Sequence, residues 1–312
     1  MRIGVDILGG DYAPVETVLG SILAYHELKD KATLVLFGDR DAIESICKKE
    51  GFDASLFEIV HTNENIGMEE YPAKAFKVKP NASIVLGFHY LKENKIDGFA
   101  SAGNTGAMLV GSMHIVKSIP GVIRPAIMAP MPKDADKPTL LLDVGINPDS
   151  KPDVLYQYAI LGSLYAELVY NIEKPRVALF NIGAEEEKGN LLTKATYQAM
   201  KGTKDFNFIG NVEGTDLFSK EVDVIVCDGF VGNTILKSAE AFFHLISSRK
   251  IADPFFNKFD SRLYGGTPVL GINAPAIIAH GNSDAKAIKS MIMHTANVVE
   301  SKLTERIKQA FE

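Results

Sequence analysis

Cysteine is scarce: the 312 residues hold two, Cys47 and Cys227, far apart in the chain. That excludes a disulfide framework and a cysteine-based zinc cluster. No apolar run reaches the roughly 20 residues that a membrane-spanning helix needs. The opening stretch, MRIGVDILGGD, lacks the basic start and long apolar segment of a secretory signal. A cytoplasmic protein is expected. Basic residues are in the minority, 33 Lys and Arg against 39 Asp and Glu, for a net charge of −6. Nucleic acid is therefore not an expected partner, although a local basic patch remains compatible with this balance.

Several catalytic signatures are missing as well. After the first apolar run the chain reads Gly9-Gly10-Asp11-Tyr12-Ala13-Pro14 and not GxGxxG, which disfavours a nicotinamide-dependent dehydrogenase. There is no GxxxxGK[ST], so a P-loop nucleotidase is excluded. There is no GxSxG elbow for a serine hydrolase. The seven histidines show no HExxH spacing. Nothing calls for a metal or a cofactor. Low-complexity segments and linker-like stretches are also absent.

What is present is alternation. Short β-rich runs fall at 2–8, 32–38, 57–62, 97–103, 126–132, 139–145, 176–183, 206–212, 222–228 and 268–272. LLLDV, VALF and VIVC are apolar almost throughout, as buried parallel strands tend to be. Helical patterns separate most of these runs, which is the βαβ arrangement. One helix is expected over 151–170, with the residue before Pro152 extended. Another is expected over 283–311, with Ser283 as its N-cap. The reading is a single compact α/β unit over 1–312 with a mainly parallel sheet.

Gly-Asn occurs five times, at 103–104, 189–190, 210–211, 232–233 and 281–282, where composition alone predicts about one. Several pairs stand where a strand is expected to end. In a parallel sheet those ends share one edge, and ligands bind there. The helices that follow aim free N–H groups and a positive dipole end at the same edge. Glycine lets backbone approach a ligand closely. Asparagine tolerates left-handed geometry and offers both a donor and an acceptor. Any single pair is equally at home as a cap or tight turn; their recurrence favours a shared, anion-friendly pocket. Lys188, in NIGAEEEKGN, is a point charge able to hold a phosphate there, or a solvated balance to Glu185, Glu186 and Glu187. Asp228 and Glu213 are placed to orient asparagines or to accept hydrogen bonds from substrate amides. His280 precedes a capped helix, where a structural role is equally open. Cys227 lies among apolar residues that disfavour a thiolate, so it reads as core and not as a nucleophile.

The motifs DILGGDYAP (6–14), SAGNTGA (101–107), RPA (124–126), LLLDVGIN (140–147), NIGAEEEKGNLLTK (181–194), NFIGNVEGTD (207–216), CDGFVGNTILK (227–237), YGGTPVLG (264–271) and IIAHGNSDAKAI (277–288) span nearly the whole chain. In this order the chain resembles the PlsX family, the bacterial acyl carrier protein:phosphate acyltransferases. The resemblance implies a three-layer α/β/α fold similar to phosphate acetyltransferases and the isopropylmalate dehydrogenase group. It implies a homodimer that moves a fatty acyl group from acyl carrier protein to inorganic phosphate. A membrane glycerol-3-phosphate acyltransferase would then consume the acyl phosphate. Lys188 and Asn233 are the implied catalytic residues, with Asn104 a further candidate for oxyanion or phosphate contact. Asp6, Gly9, Gly10, Asp11, Thr105, Gly106, Asn147, Glu185, Asn190, Asn211, Glu213, Asp228, Gly229 and His280 complete the implied substrate site. A transferase acting on acyl coenzyme A and a non-catalytic lipid-binding protein are the rival readings.

The segment 238–262 is shorter than the helical arm that such relatives carry. Ile235, Leu236, Ala239, Phe242, Phe243 and Ile246 recur every three or four residues, and Phe255, Phe256 and Phe259 follow. That face packs on the core or a partner subunit, or it makes a weak membrane-surface contact. Arg249, Lys250, Lys258 and Arg262 are a basic group suited to an acidic carrier.

Overall fold

A computed structural model describes residues 1–218 and 221–312. In chain order its strands are β1 (Arg2–Asp6), β2 (Thr33–Gly38), β3 (Glu58–His61), β4 (Gly98–Ser101), β5 (Ala126–Met131), β6 (Thr139–Leu142), β7 (Arg176–Phe180), β8 (Asn207–Val212), β9 (Val224–Val226), β10 (Thr267–Leu270) and β11 (Ala276–Ile278). The helices are α1 (Val15–Leu28), α2 (Arg40–Lys49), α3 (Pro72–Val78), α4 (Ser83–Lys92), α5 (Thr105–Gly111), α6 (Pro152–Leu168), α7 (Leu191–Met200), α8 (Gly229–Ser248), α9 (Pro254–Asn257), α10 (Ala285–Glu300) and α11 (Leu303–Phe311). The chain forms two compact units: Met1–Ser118 with Ser261–Thr304, and Ile119–Asp260 with Glu305–Glu312.

In the first unit the strand order is β3-β2-β1-β4-β11-β10. Every neighbouring pair is parallel except β10 with β11. Side chains alternate faces along a strand, and β4 shows what each face meets. Gly98 lies against Thr295 and Val299 of α10, while Phe99 lies against Gly87 of α4. Helices therefore cover both faces, the α/β class expected. Gly20 lets α1 approach α10 closely at Ile288. Phe37, Phe88 and Phe99 are wholly buried and meet edge to face.

In the second unit the order is β5-β6-β9-β7-β8, parallel apart from β5 with β6. Gly162 of α6 packs onto Leu142 and Val224, and Tyr158 and Tyr165 of the same helix are fully buried. At the amino ends of β7 and β9, buried Asp223 takes Arg176 Nε at 3.0 Å and Lys133 Nζ at 3.0 Å. Burial alone would push the Asp223 carboxyl up. Arg176, its backbone N–H and Lys133 outweigh burial and hold it down at about 2.

Most expected strands are present, trimmed where a loop begins. β11 was not expected, because the strand is only three residues long and too short for a period to show. The expected helix over 283–311 is two helices, since Lys302 adopts a φ of +54° between them. Its N-cap is Asp284 and not Ser283: Asp284 accepts from Ala287 N, while Ser283 Oγ turns back to the His280 carbonyl. Lys151 before Pro152 is extended, as expected.

Candidate active site

Four parallel strands of the second unit, β6, β9, β7 and β8, end on one edge. At about 4.8 Å between neighbours, their carboxyl ends span about 14 Å. Because β5 is antiparallel to β6, its amino end lies on that edge too, preceded by Arg124 and Pro125.

Beyond β6, Asp143 is fully buried. Its carboxylate accepts backbone N–H groups from Ile127 (3.0 Å), Ile146 (3.1 Å) and Asn147 (2.7 Å). Burial pushes this carboxyl up and the N–H groups pull it back. The bonds fix loop 143–147. Asn147 passes the order on: its amide donates to the Pro125 carbonyl (2.8 Å) and Tyr158 Oη (2.7 Å), and its carbonyl accepts from Gly229 N (2.8 Å).

The stretch CDGFVGN after β9 is explained by that loop. Asp228 caps α8, with Oδ1 accepting from Val231 N at 2.9 Å. Gly232 allows close approach: a Cβ there would collide with the Asp143 carbonyl oxygen, and one at Gly229 would stand 2.7 Å from Asp143 Oδ2. Asn233 follows, exposed, at the start of the second turn. Its side chain lies beside Gly145, with Oδ1 3.6 Å from where a Cβ would stand. Cys227 is buried, and burial, then Asp228 and Asp143, push its thiol up. It is core and not a nucleophile.

Beyond β7, buried Asn181 donates to the Lys188 carbonyl at 3.2 Å and accepts from Ile182 N at 2.9 Å. Gly189 has φ +96°, a left-handed turn that leaves no room for a side chain beside Thr193 and Asn181. Asn190 caps α7 through Thr193 N at 2.9 Å. Lys188 is exposed, and its ammonium has no ion pair among the described residues. Its acidic neighbour Glu186 is taken by Lys201 at 2.8 Å and Gln198 at 2.7 Å. Beyond β8, Asn211 donates to the Glu185 carbonyl at 2.9 Å, and its buried Oδ1 has no partner among the described residues. Glu213 and Asp216 close a reciprocal capping box.

The chain leaves β9 and β7 in opposite directions. Helix α8 turns back over β6, whereas the chain after β7 runs outward through α7 to the edge strand β8. Helices that part in this way open a crevice at the carboxyl edge, the usual ligand position in open α/β sheets. In this unit that position falls between β9 and β7. Helix α8, which carries Asn233, starts after β9 on one side of it, and the loop with Lys188 follows β7 on the other.

The first unit gathers the remaining expected residues at its own carboxyl edge. Asp6 is buried and accepts from Ser101 Oγ (2.7 Å) and Leu8 N (3.1 Å); burial still leaves its carboxyl raised. Gly9 and Gly10 pack against Ser101–Gly103, and Asp11 N donates to the Gly281 carbonyl at 2.7 Å, next to His280. Asn104 caps α5 by accepting from Ala107 N, and its amide donates to the carbonyls of Gly67, Met68 and Glu70. Thr105 is exposed, and Gly106 sits against Pro72.

Asp143, Asn181 and Arg124 were not among the expected residues. An acid directly after a buried strand, as in LLLDVG, was the available sign for Asp143. The role of Asn181 depends on a contact seven residues away, and Arg124 reaches the edge only because β5 runs backwards.

The fold is similar to that of solved phosphotransacetylases. It matches a phosphotransacetylase from Streptococcus pyogenes at TM-score 0.66 and 19% identity, covering 96% of this chain and 94% of that one. It matches the EutD phosphotransacetylase from Staphylococcus aureus at 0.64 and 17%, with the same coverage. The model of the fatty acid synthesis protein family matches residues 1–306, and the chain belongs to that family. Among its relatives is the phosphate acyltransferase of Dictyoglomus thermophilum, 43% identical over 326 residues, 98% of this chain and 96% of the relative. The phosphate acyltransferase of Caldanaerobacter subterraneus subsp. tengcongensis is 40% identical over 331 residues, 100% and 98% of the two chains. The protein is an acyltransferase.

Proposed function

We propose that this protein transfers a fatty acyl group from acyl carrier protein to inorganic phosphate in the crevice between β9 and β7. The observation that carries the reading is the ammonium of Lys188, exposed beyond the carboxyl end of β7 and without an ion pair among the described residues, while neighbouring Glu186 is engaged elsewhere. Phosphate needs capture and a fixed approach more than it needs a base, because much of it is dianionic at neutral pH. One phosphate oxygen attacks the thioester carbonyl carbon, and the carbonyl oxygen takes the developing negative charge. The C–S bond then breaks, the acyl phosphate forms and the thiol leaves with a proton. Lys188 holds the phosphate. Asn233 and the free N–H groups opening α7 and α8 face the developing oxyanion. Asp143 and Asn147 act through position, holding the start of α8. The whole chain, residues 1–312, works as one catalytic domain.

Acyl carrier protein is acidic, and exposed Arg249 and Lys250 at the end of α8 suit it. Lys258 instead donates to the carbonyls of Lys133 and Ala135, and Arg262 pairs with Asp284. The docking patch is therefore narrower than the sequence suggested. A second copy covers α8 in a homodimer, and the arm after it touches the membrane weakly, where a membrane acyltransferase takes the product. No described helix is long and apolar enough to span a membrane. Phosphate-dependent thiol release from matched acyl carrier protein and acyl coenzyme A thioesters tests the donor. Faster turnover of the carrier substrate supports the reading, and preference for coenzyme A makes the protein a phosphotransacylase of that other class.

A further inference from the structure

A second cation stands on the same edge as Lys188. Arg124 precedes β5, the strand whose reversed direction brings its amino end beside the loop after β6. Its guanidinium is exposed and has no hydrogen-bond or ion partner among the described residues. The nearby acids are committed: Asp143 to backbone N–H groups and Asp228 to Val231 N. The backbone beside Arg124 is held firmly. The Pro125 carbonyl accepts from the Asn147 amide at 2.8 Å, and Asn147 in turn accepts Gly229 N at the start of α8. The positive charge of Arg124 is also felt at the Tyr158 phenol, which bonds to Asn147.

We propose that Arg124 is a second phosphate-holding residue of this site, gripping the nucleophile from the β6 side while Lys188 holds it from the β7 side. The inference rests on the acyl-transfer reading above. The middle of the crevice lies about two and a half strand spacings from β5, or about 12 Å. An extended arginine, a hydrogen bond and the phosphate itself cover that span. A guanidinium stays charged at every working pH and presents a planar fork that matches two phosphate oxygens. A cation on each side would fix the phosphate in orientation as well as in place, which attack on a carbonyl carbon requires.

The test uses the full chain with Arg124→Ala, Arg124→Lys and, as a control on an exposed helix, Arg306→Ala. Michaelis constants are measured separately for inorganic phosphate and for the acyl thioester. Arg124→Ala is expected to raise the phosphate constant roughly tenfold or more, the loss of one charge-assisted hydrogen-bond pair, and to leave the thioester constant within about twofold. Arg124→Lys restores part of the loss, and Arg306→Ala changes neither constant. An unchanged phosphate constant in a folded Arg124→Ala protein overturns the proposal, as does a shift confined to the thioester. Should the wild-type protein release no thiol with phosphate, the acyl-transfer reading fails. Calorimetric titration with inorganic phosphate then decides Arg124 by itself: weaker binding to Arg124→Ala supports it, and equal binding refutes it.

Discussion

Lys188 stands among three glutamates yet forms no ion pair with any of them, and that contrast is the main lesson at the scale of residues. The sequence offered two accounts, a balanced surface lysine or a phosphate holder, and could not choose because pairing depends on where each side chain turns. The structure sends Glu186 to Lys201. Lys188→Ala is expected to lower turnover by about 10²–10³ and leave the melting temperature unchanged; normal turnover would remove Lys188 from the chemistry. Gly232 gives the complementary case, legible as a loop glycine but not as a contact. Its partner, the Asp143 carbonyl, comes from a different strand. Gly232→Ala must push the start of α8 off the 143–147 loop, an overpacking cost of about 1–3 kcal/mol. A melt lowered by several degrees together with reduced activity is the expected result, and unchanged values would show that α8 tolerates displacement.

Length alone did not decide which elements were legible, since β9 and β11 are both three residues long. The buried strands β6, β7 and β9 announced themselves because both of their faces are covered. The three-residue β11 and the break at Lys302 did not, since neither disturbs a local hydrophobic period. Helix α8 shows what periodicity leaves open. Its apolar face was legible, but its covering was not. Within this chain only Gly229 and Gly232 of α8 are buried, and Phe242 is 64% exposed. If a second copy covers this face, Phe242→Glu with Leu245→Glu will lower the solution mass by light scattering from two chains of 34.0 kDa to one. An unchanged mass would place the subunit contact elsewhere. In the arm, Phe255, Phe256 and Phe259 touch one another, and Phe259 meets Phe218. Phe255→Ser with Phe256→Ser is therefore expected to weaken co-sedimentation with anionic vesicles and also to loosen the arm. A wild-type protein that stays in the supernatant at low salt would assign these rings to packing alone.

The molecule as a whole carries its acid sensitivity in buried groups. Asp223, held at about 2, favours the folded state above the ordinary carboxylate range. That contribution, on the order of 2 kcal/mol, is lost as pH falls from about 4 through about 2. His294 is kept neutral by burial, with its value lowered from 6.5 despite its bonds at Tyr264 and Gly265. The unfolded chain takes up that proton first, so stability begins to fall as pH drops below about 6.5. Melting curves should show a shallow decline in that first range and a steeper one below pH 4; a flat profile would mean that neither group is coupled to folding. At this scale the fold class and acyl transfer to phosphate were legible, because motifs recur in one order along nearly the whole chain. The switch in strand order between β9 and β7 was not, since it arises from the return of β9 between β6 and β7. The most direct test of the account follows both products together. Incubated with acyl carrier protein thioester and inorganic phosphate, the protein should release thiol and form acyl phosphate, seen by phosphorus NMR, in equal amounts, and release nothing without phosphate. Thiol release that ignores phosphate, or that yields free fatty acid in place of acyl phosphate, would contradict it.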